Sequence, residues 1–316
     1  MPSRAFLITG GAGFIGSHLA GRLLESGSVR VLDNLSPYYT GKGANLSHLD
    51  GKEGFEFVEG DVLDGPTLRR ALDGVDVVFH LAAQPGVRAS VQDPATTHRA
   101  NVEGTRAVLE ACRDVDITML VNVSSSSVYG RADQLPLTED MPLFPMSPYG
   151  ASKAAAEAYC SAYHAVYDIP VVSLRYFTVY GPRQRPDMAI HGFTRTILAG
   201  GRPTVFGDGR QTRDYTYIDD IVAGTIAAST GGRPGEAYNL GGGHRIDVIE
   251  LVRLIGKACG RTVEPSFVPW QTGDVQDTLA DVSKATDHFG YRPRTAVEEG
   301  VRRFVAWYRE RSPART

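Results

Sequence analysis

Apolar positions in the first half of the chain fall in short, near-continuous runs, at 5–9, 29–33, 55–58, 75–80, 117–123 and 171–175. Helical repeats separate them, at 14–26, 66–72, 94–113 and 149–167. Runs this short and this continuously apolar read as strands buried on both faces, and alternation with helices makes the sheet parallel. The fold class is therefore α/β, a doubly wound parallel sheet. After about residue 178 the pattern changes to Gly-, Pro- and Arg-rich loops, with helices at 191–200, 218–230, 248–260 and 296–309. The expected division is a first domain over 1–177 and a smaller mixed α/β domain over 178–316, with 215–240 returning to the first.

The first run leads into Gly10-Gly11-Ala12-Gly13-Phe14-Ile15-Gly16. A GxGxxG that follows a strand and opens a helix is a dinucleotide fingerprint, characteristic of a Rossmann domain. Its glycines allow a tight turn, and the helix amino end receives a pyrophosphate. Asp33 ends the second run, where a carboxylate accepts both ribose hydroxyls and disfavours a 2′-phosphate. The expected cofactor is NAD. Asp61 and Val62 follow the third strand, at the expected adenine edge, and Leu81, Ala82 and Ala83 follow the fourth. His80, at the end of that strand, reads as a hydrogen-bonded structural histidine.

Composition narrows the classes. The 316 residues are 42% hydrophobic and 22% charged, with a formal net charge of -3. That balance suits a globular protein and gives no reason to expect nucleic acid or a membrane surface as partner. No apolar stretch approaches the ~20 residues that span a bilayer. Met1-Pro2-Ser3-Arg4 runs directly into the first strand, so the expected location is cytoplasmic. Cys112, Cys160 and Cys259 lack metal-ligand or disulfide spacing, and no metal is expected.

Tyr149 and Lys153 stand one turn apart at the start of a helix and share a face. A phenol is a poor base near neutrality, and an ammonium one turn away favours its phenolate. Ser124-Ser125-Ser126-Ser127-Val128-Tyr129-Gly130 closes the fifth strand at the same sheet edge. Together these residues form a candidate proton-transfer site facing the cofactor.

This set resembles the extended short-chain dehydrogenase/reductase family, in particular its sugar-nucleotide 4-epimerases. The likeness runs over nearly the whole chain, through the fingerprint, Asp33-Asn34-Leu35, His80 to Gln84, the serine run, Tyr149 with Lys153, and Arg175 to Pro182. It continues through Phe206 to Asp214 and Gly273-Asp274-Val275. The resemblance implies Tyr149 as base, Ser125 as its hydroxyl partner and Lys153 as support, with Lys153 also on the nicotinamide ribose. The expected cofactor contacts are Gly10, Gly13, Phe14, Ile15, Gly16, Asp33, Asn34, Asp61, Val62, Leu81, Ala82, Ala83, Asn101, Tyr149, Lys153 and Tyr176. It implies Arg213 on the diphosphate, Asp274 on the nucleotide ribose and Phe206 near the base. Family dehydratases carry an Asp-Glu pair where Ser126 and Ser127 stand here, so elimination lacks its acid. Gln84-Pro85-Gly86-Val87-Arg88 and the stretch from Tyr176 to Ala189 resemble the UDP-glucuronate 4-epimerases, and Thr178 replaces a frequent Asn. Ser126, Ser127, Thr178, Arg88 and Arg185 are thus the expected residues around the sugar. Leu279 stands where the family often has Tyr, which leaves the pocket width open. The expected partner is a UDP-sugar, most like UDP-glucuronate, and the expected assembly is a homodimer built on helices 94–113 and 149–167. UDP-glucose or UDP-N-acetylhexosamine 4-epimerase, a net dehydrogenase and an NAD-sensing binding protein remain the alternatives.

Overall fold

The structure, a computed structural model, describes residues 4–39, 41–131, 134–270 and 275–311. Its strands, in chain order, are β1 (Arg4–Thr9), β2 (Gly27–Asp33), β3 (Phe55–Glu59), β4 (Val77–His80), β5 (Met119–Ser125), β6 (Val171–Tyr176), β7 (Thr178–Tyr180), β8 (Thr204–Phe206), β9 (Thr212–Tyr217), β10 (Ala237–Leu240), β11 (Arg245–Asp247) and β12 (Ser266–Val268). Seven of them form one sheet in the order β10-β6-β5-β4-β1-β2-β3, every neighbouring pair parallel. The chain builds outward from β1 to β3, then restarts on the other side of β1 with β4. That reversal opens a crevice at the carboxyl ends of β1 and β4, where ligands bind in such sheets.

Successive strand residues point to opposite faces, and β1 shows the consequence. Phe6 and Ile8 join one buried cluster with Leu19 and Leu23 of the helix Phe14–Leu23 and Ile221 of the helix Ile218–Gly231. Leu7 joins the other cluster, with Leu68, Val108 and Leu109. Each such side chain, once fully buried, contributes roughly 1.5–3 kcal/mol. This two-sided burial removed the polar alternation from the strand sequences.

Beyond β6 the chain forms a three-stranded sheet, β11-β9-β7, and a β12-β8 pair, then sends β10 back to the edge of the main sheet beside β6. The helix expected over 94–113 is present as one continuous run over 94–112 with a wide turn inside it. Pro94–His98 and Gly104–Cys112 are α-helical, and Arg99–Glu103 between them is a wide π-helical turn. A short helix, Val87–Gln92, precedes them. The π turn coincides with Asn101, whose amide Nδ2 donates to Ser152 Oγ (2.8 Å) and to Gln84 O (3.2 Å), while its Oδ1 accepts from Gln84 N (2.7 Å). Those tertiary bonds sit at the wide turn, and the helical run continues through it. No helix among the described residues is long and apolar enough to cross a membrane.

Candidate active site

The fingerprint turn forms because Gly10 takes a left-handed φ of +72°. A Cβ there would lie 2.6 Å from the Ala82 nitrogen, so only glycine lets β1 and the β4 loop close on each other. Gly13 caps the helix Phe14–Leu23 and has no side chain to satisfy its first amides. Those amides, at Phe14 and Ile15 among them, are the donors a phosphate needs. Asp33 is buried and closes the turn from β2, accepting from Ala12 N (3.1 Å) and Leu35 N (2.8 Å). Asn34 donates to Asp61 Oδ2 (2.9 Å), which joins the ends of β2 and β3 beside buried Val62. A cradle too tight for any Cβ, uncapped amides and a carboxylate at the end of β2 fit NAD.

Ala82 N bonds Thr9 Oγ1 (3.3 Å) and Leu81 N bonds Thr9 O (3.0 Å), which places the 81–83 loop over the end of β1. His80 is buried with Thr9 and Thr105 hydroxyls on its two ring nitrogens (2.7 and 3.1 Å). Burial, with Lys153 nearby, pushes its pKa down to about 3, so it stays neutral and acts as a brace.

The tyrosine helix, Pro148–Tyr167, starts with strong local signals. Ser147 caps it by accepting from Gly150 N (3.1 Å), Pro148 occupies the first turn, and Tyr149 N donates to Ser90 Oγ (3.0 Å). A Cβ on Gly150 would come within 2.5 Å of Ser127 O. Glycine therefore lets the helix press against the serine turn, and Tyr149 meets Ser125, which hydrogen-bonds its phenol. Ser125 ends β5; its hydroxyl also donates to Ser127 Oγ (3.1 Å) and accepts from Ser127 N (3.2 Å). Ser126 and Ser127 share one half-buried 3-10 turn with it.

Burial raises the Tyr149 pKa, and the Ser125 bond and the Arg185 charge oppose that rise. The expected helper, Lys153, is turned differently: its buried ammonium donates to Val123 O (2.7 Å). Burial depresses its pKa to about 8, against which the thiol of Cys160 and the carboxylate of Glu157 act. The cation that acts on the phenol in this structure is Arg185, from the loop after β7.

The remaining expected residues divide. Thr178 begins β7, half-buried, two residues beyond the end of β6. Arg88 lies over the Phe206 ring, 4.4 Å from its centroid, which brings those two together. Arg185 places Nε and Nη2 on the two Asp187 oxygens, at 3.0 Å each. Arg213 donates to the carbonyls of Thr212, Val275 and Gln276 (2.7–3.0 Å), so its guanidinium is held by backbone. Tyr176 buries its hydroxyl on Thr225 (2.6 Å), and Asn101 spends its amide on Gln84 and Ser152. Their side chains brace the site's supports. Asp274 lies outside the described residues. No group of three His, Cys, Asp or Glu suited to a metal occurs among the described residues.

A buried network was missed from sequence. Glu157, two turns beyond Tyr149, accepts from Ser124 and from Arg175 (2.8 Å), and Arg175 also donates to Tyr129 OH (3.0 Å). It ties β5, β6 and the tyrosine helix together just beneath Ser125. The signal was present as Arg175 and Glu157, charged residues within apolar runs, which buried ion pairing explains.

Comparison with known proteins agrees with this architecture. The chain belongs to the NAD dependent epimerase/dehydratase family, whose model matches residues 6–241. It is an enzyme of the extended short-chain dehydrogenase/reductase type and uses NAD. It is 42% identical over 311 residues to an uncharacterized UDP-glucose epimerase, YtcB, of Bacillus subtilis, covering 95% of this chain and 96% of that one. It is 38% identical to a UDP-glucuronate 4-epimerase of Thermodesulfobacterium geofontis, covering 96% of each. A solved structure of UDP-glucuronic acid 4-epimerase from Bacillus cereus, in complex with UDP-glucuronic acid and NAD, superposes with a TM-score of 0.92 at 38% identity. That match covers 97% of this chain and 99% of the other.

Proposed function

We propose that this protein is a UDP-sugar 4-epimerase that interconverts UDP-glucuronate and UDP-galacturonate. The observation that carries the sugar choice is the turn after β5. Ser125, Ser126 and Ser127 offer three hydroxyls there and no carboxylic acid. Hydroxyls, with Thr178 two residues past the end of β6, whose Tyr176 pairs with Ser125, suit a planar carboxylate that accepts several hydrogen bonds at once. They also leave its charge largely in place. A 4-keto sugar acid is a β-keto acid that loses CO2 readily, so partial neutralisation is the safer arrangement. The absence of an acid in that turn disfavours elimination of water.

Gly10, Gly13, Phe14, Ile15, Gly16 and Asp33 would hold NAD, which supplies the acceptor and donor of the C4 hydrogen when bound. Tyr149 takes the proton of the C4 hydroxyl and later gives it back. Ser125 shares a hydrogen bond with that phenol and keeps the C4 oxygen in line. Lys153 sits beneath, holding the end of β5 through Val123. Between the two proton transfers the 4-keto ring turns to present its other face. Arg88, Phe206, Arg213 and Asp274 are assigned to the nucleotide end.

UDP-glucose is the second reading, favoured by the name of the Bacillus subtilis relative. Incubation with a panel of UDP- and dTDP-sugars, with products identified by NMR, tests the assignment. UDP-galacturonate from UDP-glucuronate supports it; release of CO2 or a 6-deoxy-4-keto product refutes it.

The tyrosine helix exposes Tyr159, Val166 and Tyr167 at 38%, 67% and 44%. We assign this apolar face to a homodimer interface.

A further inference from the structure

Three loops converge above the crevice between β1 and β4. The first, 34–39, leaves β2; the second, 83–86, leaves β4; the third, 181–188, follows β7. The Tyr38 hydroxyl of the first donates to Asp187 Oδ2 of the third at 3.3 Å. The Arg185 guanidinium, already on both Asp187 oxygens, also lies 5.7 Å from the centre of the Tyr38 ring. The second loop makes room for this contact. Gly86 has φ +102°, and a Cβ there would come within 2.5 Å of the Tyr38 oxygen. The contact therefore joins the loop after β2 to the loop after β7.

Tyr39 stands edge-on to Tyr38, ring centres 6.4 Å apart at 86°. It points the other way, into the fingerprint. Its oxygen lies 3.9 Å from the place of a Cβ on Gly13, and it is buried with no hydrogen-bond partner. The Phe14 amide faces that oxygen, though not in bonding geometry. A buried hydroxyl without a partner costs free energy unless something arrives to satisfy it. Burial pushes its pKa up to about 12, so it is a donor throughout the working range. A donor aimed at uncapped helix amides has one fitting partner, an anion.

We propose that the 34–39 loop is a clasp on the dinucleotide: Tyr39 donates to a pyrophosphate oxygen, and Tyr38 latches the loop shut on Asp187. The proposal rests on the reading that the crevice holds NAD. The clasp explains how an enzyme with no net redox change keeps its cofactor through many turnovers. It also adds the two tyrosines and Asp187, none of them expected from the sequence, to the residues that hold the cofactor.

The test loads purified full-length protein with radiolabelled NAD and follows its release into excess unlabelled NAD, without any sugar. Tyr39→Phe removes one hydrogen bond to a charged acceptor and should speed release about tenfold or more. Tyr38→Phe and Asp187→Ala should each speed it about fivefold, and the double variant should be no faster than the quicker single, because both open one latch. Release within twofold of wild type in all three single variants overturns the clasp. Additive effects of Tyr38→Phe and Asp187→Ala overturn the latch. The functional reading fails separately, if wild-type protein retains NAD through the clasp yet epimerises no UDP-sugar.

Discussion

Lys153 offers the sharpest test of the buried site. Its ammonium is buried, with its pKa depressed from the ordinary 10.5 to about 8, chiefly by burial. A depression of that size corresponds to about 3 kcal/mol of cost for keeping the charge inside at neutral pH. The direction follows from proton counting. Between the folded and unfolded pKa values the unfolded chain binds the extra proton, so wild-type stability rises with pH from about 8 towards 10.5. Lys153→Met removes the charge and keeps the length. It also strips Val123 O of its donor, a penalty of roughly 1–3 kcal/mol that does not vary with pH. At pH 7 the two terms oppose, and Lys153→Met should be as stable as wild type or more stable, although inactive. The decisive quantity is the gap between the two proteins, measured by urea unfolding without NAD at pH 7.0, 8.5 and 9.5. It should move in favour of wild type by about 1.4 kcal/mol per pH unit above pH 8. A gap that stays constant would refute the buried-ammonium account, whatever its size.

The other expectations follow from single contacts. Tyr149→Phe keeps the ring and removes the proton acceptor; turnover should fall by about 10²–10⁴-fold with NAD still bound, and near wild-type turnover would reject Tyr149 as the base. Gly10→Ala puts a methyl group 2.6 Å from the Ala82 nitrogen at a φ of +72°, so the purified variant should retain little NAD and lose thermal stability, both absent if the cradle is misassigned. Light scattering at micromolar concentration should give a dimer, and Val166→Glu, on the exposed apolar face of the tyrosine helix, should shift it to monomer without unfolding it; a dimer that survives the change places the interface elsewhere.

The parallel sheet was legible because burial on both faces writes itself into the sequence as near-continuous apolar runs. Ser125, Tyr149 and Lys153 were legible as well, because a strand end and a helix start are local features that fix where side chains emerge. What the sequence concealed is long-range. Tyr38 meets Asp187 across 149 positions, and neither residue carries a local signal of the contact. The division of labour between Lys153 and Arg185 was hidden for the same reason: spacing set the lysine one turn from the phenol, but Val123 O drew its ammonium away and a distant loop supplied another cation. Arg213 has a phosphate-binding arginine's place in its motif, yet in the fold three carbonyls hold it. The wide turn at Asn101 inside the helix over 94–113 left no trace in its periodicity, because the partners of Asn101, Gln84 and Ser152, lie outside that helix.

The proposed sugar site is built for an acid, with the hydroxyls of Ser126, Ser127 and Thr178 at its carboxylate end. Hydrogen bonds to a charged acceptor contribute about 1.5–3 kcal/mol each, more than bonds to a neutral hydroxyl. The most direct measurement is kcat/KM for UDP-glucuronate and UDP-glucose, side by side, in wild type and Thr178→Val. UDP-glucuronate should be the better substrate in wild type, and Thr178→Val should narrow its lead about tenfold or more while slowing UDP-glucose little. Equal or faster turnover of UDP-glucose by the wild-type enzyme would contradict the account and assign the protein to neutral sugars.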